Sequence, residues 1–321
     1  MKYDVIVCGA GPSGMVAAIS ARRNDAKVLL VETSGLLGGN SILSLVGPWM
    51  TFHNNGTQII KGIGGEIVQK LVSKGYSLGH IDDPIGFADS ITPVDVEGVK
   101  EVYFDYIVEE DIDLLLHSFV CGVIKEGNTL QGIKVATKSG LIDIYAKVII
   151  DATGDGDVSA LAGCDFVYGR SQDNLAQPMT MLFSVGNVDI DKLKSFMKEN
   201  SDDCIIRDNY DYEYLGISGL FKKVQEAKAN NDFDLPRDRV LLFQDVRPNQ
   251  VSINMTRVQN LSGTNVFELT EAEVKGRIQI KHAFKFLQKY IPGFENSYII
   301  GLVFAKPVIL LVSILCKLMI S

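Results

Sequence analysis

The sequence predicts an α/β fold: a Rossmann-like nucleotide-binding domain that carries a three-stranded antiparallel meander, followed by an α+β domain. Three observations carry this. A strand, a glycine loop and a helix fill the first thirty residues. A second strand, Val-Leu-Leu-Val at 28–31, ends on Glu32. A strand at 146–152, continuously apolar at 148–150, then opens into a second Gly/Asp turn, Ala152-Thr153-Gly154-Asp155-Gly156-Asp157.

The first motif, Gly9-Ala-Gly11-Pro12-Ser13-Gly14, counts because it follows a strand and precedes a helix. Gly9 permits the tight turn, Gly11 lets a pyrophosphate lie against bare backbone, and Gly14 lets the helix pack closely. The helix start presents free N–H groups and the positive end of its dipole to that pyrophosphate. Glu32 follows at the spacing of roughly twenty residues that suits a carboxylate binding an adenosine ribose, and it disfavours a 2′-phosphate. The bland alternative is a glycine turn in an ordinary α/β protein with a solvated Glu32.

Next comes a loop, 33–41, whose Gly38, Gly39 and Asn40 let backbone approach a ligand, and then 47–53 with Trp49, Phe52 and His53. Trp49 and Phe52 read as a buried aromatic loop. His53 reads two ways, as a satisfied core histidine or as a group bordering a cofactor. Apolar residues at 63, 67, 68, 71 and 72 predict a helix over 62–74. From 75 to 103, Gly and Pro break every pattern, which predicts an inserted substrate-side or surface excursion, 75–104, with His80, Asp82 and Asp83 decorating a solvated loop. Four strand-like runs follow, 112–116, 119–125, 131–137 and 141–151, with turn signals at 126–128 and 138–140. The hairpins predict a small meander laid over the main sheet. The buried last run ends in the second glycine turn, where Gly154 would expose backbone and Asp157 would bind a hydroxyl or ring edge. The bland alternative there is a helix N-cap. The domain limits expected are 1–165 and 166–297, with 298–321 an apolar tail.

The second domain alternates strand-like pieces (180–185, 240–245, 251–255) with helical ones (190–199, 219–229, 272–290). Gln177-Pro-Met-Thr180 and Asn254-Met-Thr-Arg257 sit on or beside strands, placed either to face a cofactor or to pack in a core with Arg257 at the surface. Arg277 and Lys281 read as a solvated face.

Composition bounds the rest. At 321 residues and 46% hydrophobic, the chain supports a large core and two domains. A net charge of −8 argues against nucleic acid and anionic membrane surfaces as partners. Five scattered cysteines make no C-x-x-C pair, so neither a metal site, an iron–sulfur cluster nor a disulfide framework is expected. The chain runs straight into a strand, without a signal peptide, and the cytoplasm is the expected setting.

Taken together, these residues resemble the FAD-dependent oxidoreductases of the two-dinucleotide-binding (glutathione-reductase-like) superfamily, grouped with the A-type subunit of heterodisulfide reductase. The resemblance covers the chain to about residue 300. It is carried by the Gly9/Gly11/Gly14 turn with Glu32, the 37–39 and 47–53 loops, the 152–157 turn, Gln177-Pro-Met-Thr180 and Pro292-Gly-Phe-Glu-Asn296. It implies noncovalent FAD, with pyrophosphate on 9–14 including Pro12 and Ser13, ribose on Glu32, and the flavin side near Gly38, Gly39, Asn40, Ala152, Thr153, Gly154 and Asp157. It also implies that the second domain binds substrate, a small molecule, with an electron donor or acceptor as the other partner. His53 is the candidate for proton handling. The stretch 301–321 departs from the resemblance. A transmembrane anchor is disfavoured, because Lys306, Pro307 and Lys317 leave only 308–316 uninterrupted. A buried element would be oddly uniform, and a truncated or frameshifted end fits best. A rival reading is therefore a non-enzymatic remnant with a partial nucleotide site. A third, an NAD-dependent dehydrogenase using only the first turn, is opposed by the position of the second.

Overall fold

The computed structural model describes residues 2–302 and 306–307, so most of the departing stretch lies outside the described residues. The described chain forms two compact units, one of residues 2–43 and 99–177, the other of 44–98 and 178 onward. The expected 75–104 excursion falls largely inside the 44–98 segment, and the helix Val96–Glu109 carries the chain back into the first unit.

The first unit is one six-stranded sheet in the order Asp113–Leu115, Val28–Val31, Lys2–Cys8, Gly140–Asp151, Thr129–Thr137, Phe119–Glu126. Its first four strands are parallel, with Cys8 opposite both Val31 and Asp151. Central strands covered on both faces need continuous apolar runs. Val28 to Val31 are accordingly all buried, as are Ile6, Val7 and Cys8. The last three strands are the antiparallel meander. It continues the parallel sheet edge to edge, rather than lying over it, because Gly140–Asp151 pairs with Thr129–Thr137 on one side and Lys2–Cys8 on the other. The run 112–116, read beside the meander, belongs to the opposite edge, where Leu114 pairs with Leu30.

The helix before that edge strand was hidden by Pro93 and Gly98. Its buried Val99, Val102, Tyr103, Tyr106 and Ile107 nevertheless repeat at three and four residues, the signature of one apolar helix face.

In the second unit a six-stranded antiparallel sheet runs Cys204–Ile205, Gly216–Gly219, Val240–Gln244, Gln250–Ile253, Phe183–Gly186, Tyr298–Leu302. The tail assigned from 298 thus begins as an edge strand of this sheet. The helices Ile190–Glu199, Phe221–Ala229 and Val266–Tyr290 contribute Leu193, Met197, Val224, Ile280, Phe286 and Leu287 to its core. The helix expected over 272–290 starts at Val266, because Asn265 caps it, its Oδ1 accepting from Phe267 N (3.0 Å) and Glu268 N (3.3 Å). Of the Pro292-Gly-Phe-Glu-Asn296 motif, Phe294 is fully buried and Gly293 carries φ +99, and a Cβ at Gly293 would stand 2.6 Å from Asp189 O. Asp189 N donates to Gly293 O (2.9 Å) while its side chain caps the helix Ile190–Glu199. That motif anchors scaffold.

Among the described residues, no helix is long and apolar enough to cross a membrane. The Asn265 cap gives a direct prediction: Asn265→Ala lowers stability by about 1 kcal/mol. A urea unfolding midpoint equal to that of the parent chain would contradict the capping account.

Candidate functional site

Two glycine turns leave the carboxyl ends of neighbouring parallel strands. Because Cys8 pairs with Asp151, the turn that begins at Gly9 and the turn that begins at Ala152 emerge side by side. The pairing continues into the turns, with Gly9 N donating to Val31 O and Ala152 N to Cys8 O, both at 2.8 Å. The strand order also reverses direction at this pair, and ligands of open α/β sheets bind outside the carboxyl ends at such a switch point.

The glycines are imposed by this closeness. Gly9 has φ +94, and a Cβ there would come within 2.3 Å of Ala152 O. A Cβ on Gly14 would strike Gly9 O at 1.9 Å, so Gly14 lets the helix start press against its own turn. Gly11 is different: its nearest neighbour to a built Cβ is Gly39 Cα at 4.0 Å. Its bareness serves open space rather than packing. A Cβ on Gly39 would meet Gly11 Cα at 2.8 Å, while one on Gly154 (φ +92) would meet nothing within 4 Å. Gly38 is held to the first turn, its N–H donating to Ala10 O at 2.7 Å. Asn40 opens the short helix Asn40–Leu43. At the head of the helix Pro12–Arg22, the cap residue Gly11 has no side chain to offer and Pro12 no N–H, so the first-turn donors at Ser13 and Gly14 remain for a ligand.

Glu32 is buried rather than solvated. Its Oε2 accepts from Ala10 N (2.9 Å), and its Oε1 accepts from Ser34 N (2.8 Å) and Thr33 Oγ1 (3.1 Å). These bonds lock the carboxylate against the first turn and leave Oε2 capacity for a further donor.

Asp151 escaped the sequence reading. Its Oδ1 accepts from Thr153 N (3.2 Å) and Thr153 Oγ1 (2.7 Å). Its Oδ2 accepts from Ser159 N and Ser159 Oγ, both at 2.8 Å. Thr153 Oγ1 in turn accepts from Asp157 N at 2.9 Å, at the start of the helix Asp157–Ala162. One carboxylate therefore shapes the whole second turn. The signal was present as Asp-x-Thr with a serine six residues further on, an Asx-turn pattern. Burial, then the nearby Asp151, pushes the Cys8 thiol up to about 12, so Cys8 stays protonated and unreactive.

His53 belongs to the second unit. Its Nδ1 lies 2.9 Å from Ser90 Oγ, and its ring meets that of His80 edge-on at 5.2 Å. His80 packs at a tilt against the buried Phe52, with ring centroids 4.5 Å apart, and bonds Thr92 Oγ1 through Nδ1 at 2.8 Å. Burial, then His53, lowers its pKa, which keeps His80 neutral at pH 7. His80 and Asp83 are thus built-in groups rather than decoration on a solvated loop. Asp83 is fully buried, accepting from Ile85 N (3.1 Å) and Ala88 N (2.8 Å), whereas Asp82 is exposed and pairs with Arg207. The small sheet of Trp49–Met50, Ser90–Thr92 and Ile81–Asp82 explains the difference, since it folds this segment into ordered structure. Among the described residues, no group of three metal-ligating side chains forms.

The Asp151 network yields a prediction. Asp151→Ala leaves the Thr153 and Ser159 N–H groups without their acceptor and lowers stability by about 2–3 kcal/mol, whereas Asp151→Asn loses less. Equal urea midpoints for all three proteins would contradict it.

Comparison with known proteins places the chain in a family. The chain is 26% identical over 206 residues to digeranylgeranylglycerophospholipid reductase 1 of Methanococcoides burtonii, a match covering 60% of this chain and 46% of that one. It is 32% identical over 171 residues to thiamine thiazole synthase of Pyrococcus horikoshii, covering 49% of this chain and 59% of that one. The chain thus spans about half the length of these curated relatives. A geranylgeranyl bacteriochlorophyll reductase-like structure from Thermoplasma acidophilum shares the fold, with a TM-score of 0.54, 17% identity, and coverage of 94% of this chain and 65% of that one. Residues 4–305 match the family described as FAD dependent oxidoreductase, and the chain belongs to that family.

Proposed function

We propose that this chain binds FAD across the two adjoining glycine turns and serves as an oxidoreductase that passes hydride or electrons between the flavin and a small molecule. The observation that carries the proposal is the Cys8–Asp151 pairing, which sets both turns at one end of the sheet. In this reading the pyrophosphate lies over Gly9, Gly11, Pro12, Ser13 and Gly14, and the free side of Glu32 Oε2 accepts a ribose hydroxyl. Gly38, Gly39, Asn40, Ala152, Thr153, Gly154 and Asp157 border the flavin end. The bare Gly11 and Gly154 fit the group, since each faces space that a Cβ would enter without meeting protein closer than 4 Å.

When bound, the flavin supplies the redox chemistry, and the protein contributes orientation and electrostatics. Substrate binding falls to the second unit, where His53, backed by Ser90 and beside a neutral His80, is the group suited to hold or move a proton. The finer placing in the glutathione-reductase-like superfamily, beside the A-type subunit of heterodisulfide reductase, rests on the motif residues alone. A cytoplasmic setting rests on composition. The family match over residues 4–305 does not favour the remnant reading.

Gly11→Ala tests this directly. Its Cβ fits the protein, at 4.0 Å from its nearest neighbour, in an extended backbone that any residue adopts, so the variant keeps its fold. Titration of FAD followed by fluorescence quenching is expected to show at least tenfold weaker binding, about 1.4 kcal/mol. Equal affinity in parent and variant would contradict a pyrophosphate seated on Gly11.

A further inference from the structure

Two motifs of the second unit are stitched together by side chains. Thr180 Oγ1 bonds Thr256 O (2.8 Å) and Thr256 Oγ1 (3.0 Å), and Thr256 Oγ1 accepts from Met181 N (2.7 Å). Gln177-Pro-Met-Thr180 and Asn254-Met-Thr-Arg257 therefore pack on each other, and Arg257 is half-buried rather than a surface residue. Its backbone is clamped by Gln279, which accepts from Arg257 N at 2.7 Å and donates to Arg257 O at 3.1 Å. Its guanidinium is thus anchored at its base, and among the described residues no carboxylate pairs with it.

Arg237 stands beside it in the same condition. Its Nη2 donates to Asn254 Oδ1 at 3.1 Å, while its Nε is buried with no partner among the described residues. Burial, then the charges of Arg257 and Arg239, act against its own charge. The one carboxylate that acts on it, Asp238, is already committed to Arg239 through bonds of 2.9 and 3.2 Å. The residues outside the described set contain neither Asp nor Glu, so they supply no acidic side chain.

Asn254 completes the pattern. Its Oδ1 accepts from Arg237 and from Thr180 Oγ1 (3.3 Å), which leaves its amide N–H₂ as donors with no bond among the described residues. Nη1 of Arg237, the guanidinium of Arg257 and Nδ2 of Asn254 form a set of donors without an acceptor among the described residues. Such a set has one chemical complement, an anion with several oxygens, which guanidinium forks bind in bidentate fashion.

We propose that Arg237, Arg257 and Asn254 form a binding site for an oxyanion, the carboxylate or phosphate group of a small-molecule ligand. The site stands on groups of one unit and is independent of the flavin reading.

The test is thermal unfolding of the full chain with inorganic phosphate or succinate, each against sodium chloride of equal ionic strength. Calorimetric titration of the same anions accompanies it. At anion concentrations well above Kd, at least one oxyanion is expected to raise Tm by about 2–4 °C over chloride. Arg257→Gln removes no side-chain bond among the described residues, so it folds, and it is expected to weaken binding tenfold or more, with Arg257→Lys in between. Phosphate acting alone assigns the site to a phosphate ester, succinate acting alone to a carboxylate, and both to oxyanions generally. No shift beyond chloride, or a full shift retained in Arg257→Gln, would overturn the proposal. Because the readout requires neither flavin nor turnover, a failure of FAD binding leaves it intact.

Discussion

The parallel pairing of Lys2–Cys8 with Gly140–Asp151 is the constraint on which the proposed cofactor cradle depends. Two strands separated by more than a hundred residues end level with each other, so two glycine turns that are unrelated along the chain become one surface. Once they adjoin, sterics dictate residue identity. Gly9 cannot carry a Cβ because Ala152 O is in its place, and Gly14 cannot because Gly9 O is. Asp151, the last residue of the second strand, then fixes its turn through four accepted hydrogen bonds, while Glu32 fixes the first through Ala10. Each turn has its own buried or half-buried carboxylate as a brace.

The second unit rests on different physics. Its antiparallel sheet is held by an apolar core that includes Phe183, Leu242, Ile253, Phe286 and Phe294. Several of its motif residues serve that frame rather than a ligand. Thr180 and Thr256 tie two segments together, and Gly293 supports the cap of a helix. Against this satisfied background, the donors of Arg237, Arg257 and Asn254 stand out because they lack what their neighbours have. A core that satisfies nearly every buried polar group makes an orphaned one informative.

What was legible in the sequence was local. The first strand, turn and helix are contiguous, and the meander announces itself through Glu126-Gly-Asn128 and Lys138-Ser-Gly140, which the structure turns into hairpins. Glu32 could be placed because its spacing from Gly14 follows from the length of one βαβ unit. What was hidden depended on partners distant in sequence. The three residues Asp113–Leu115 carry no sign of whether they extend a meander or pair with Val28–Val31. Asp83 and His80 look solvated beside Gly79 and Pro84 until the small sheet closes around them. Asp151 read as the end of a strand, because nothing in a strand pattern reports what a terminal carboxylate accepts. Pro93 and Gly98 masked the helix at Val96–Glu109, although its buried residues follow a helical spacing of three and four.

The most direct measurement is the visible absorption spectrum of the purified full chain after incubation with FAD and gel filtration. The account predicts a flavin band that travels with the protein in near-stoichiometric amount. Folded protein that emerges colourless would contradict it, because the adjoining turns would then form a cradle that does not hold the cofactor.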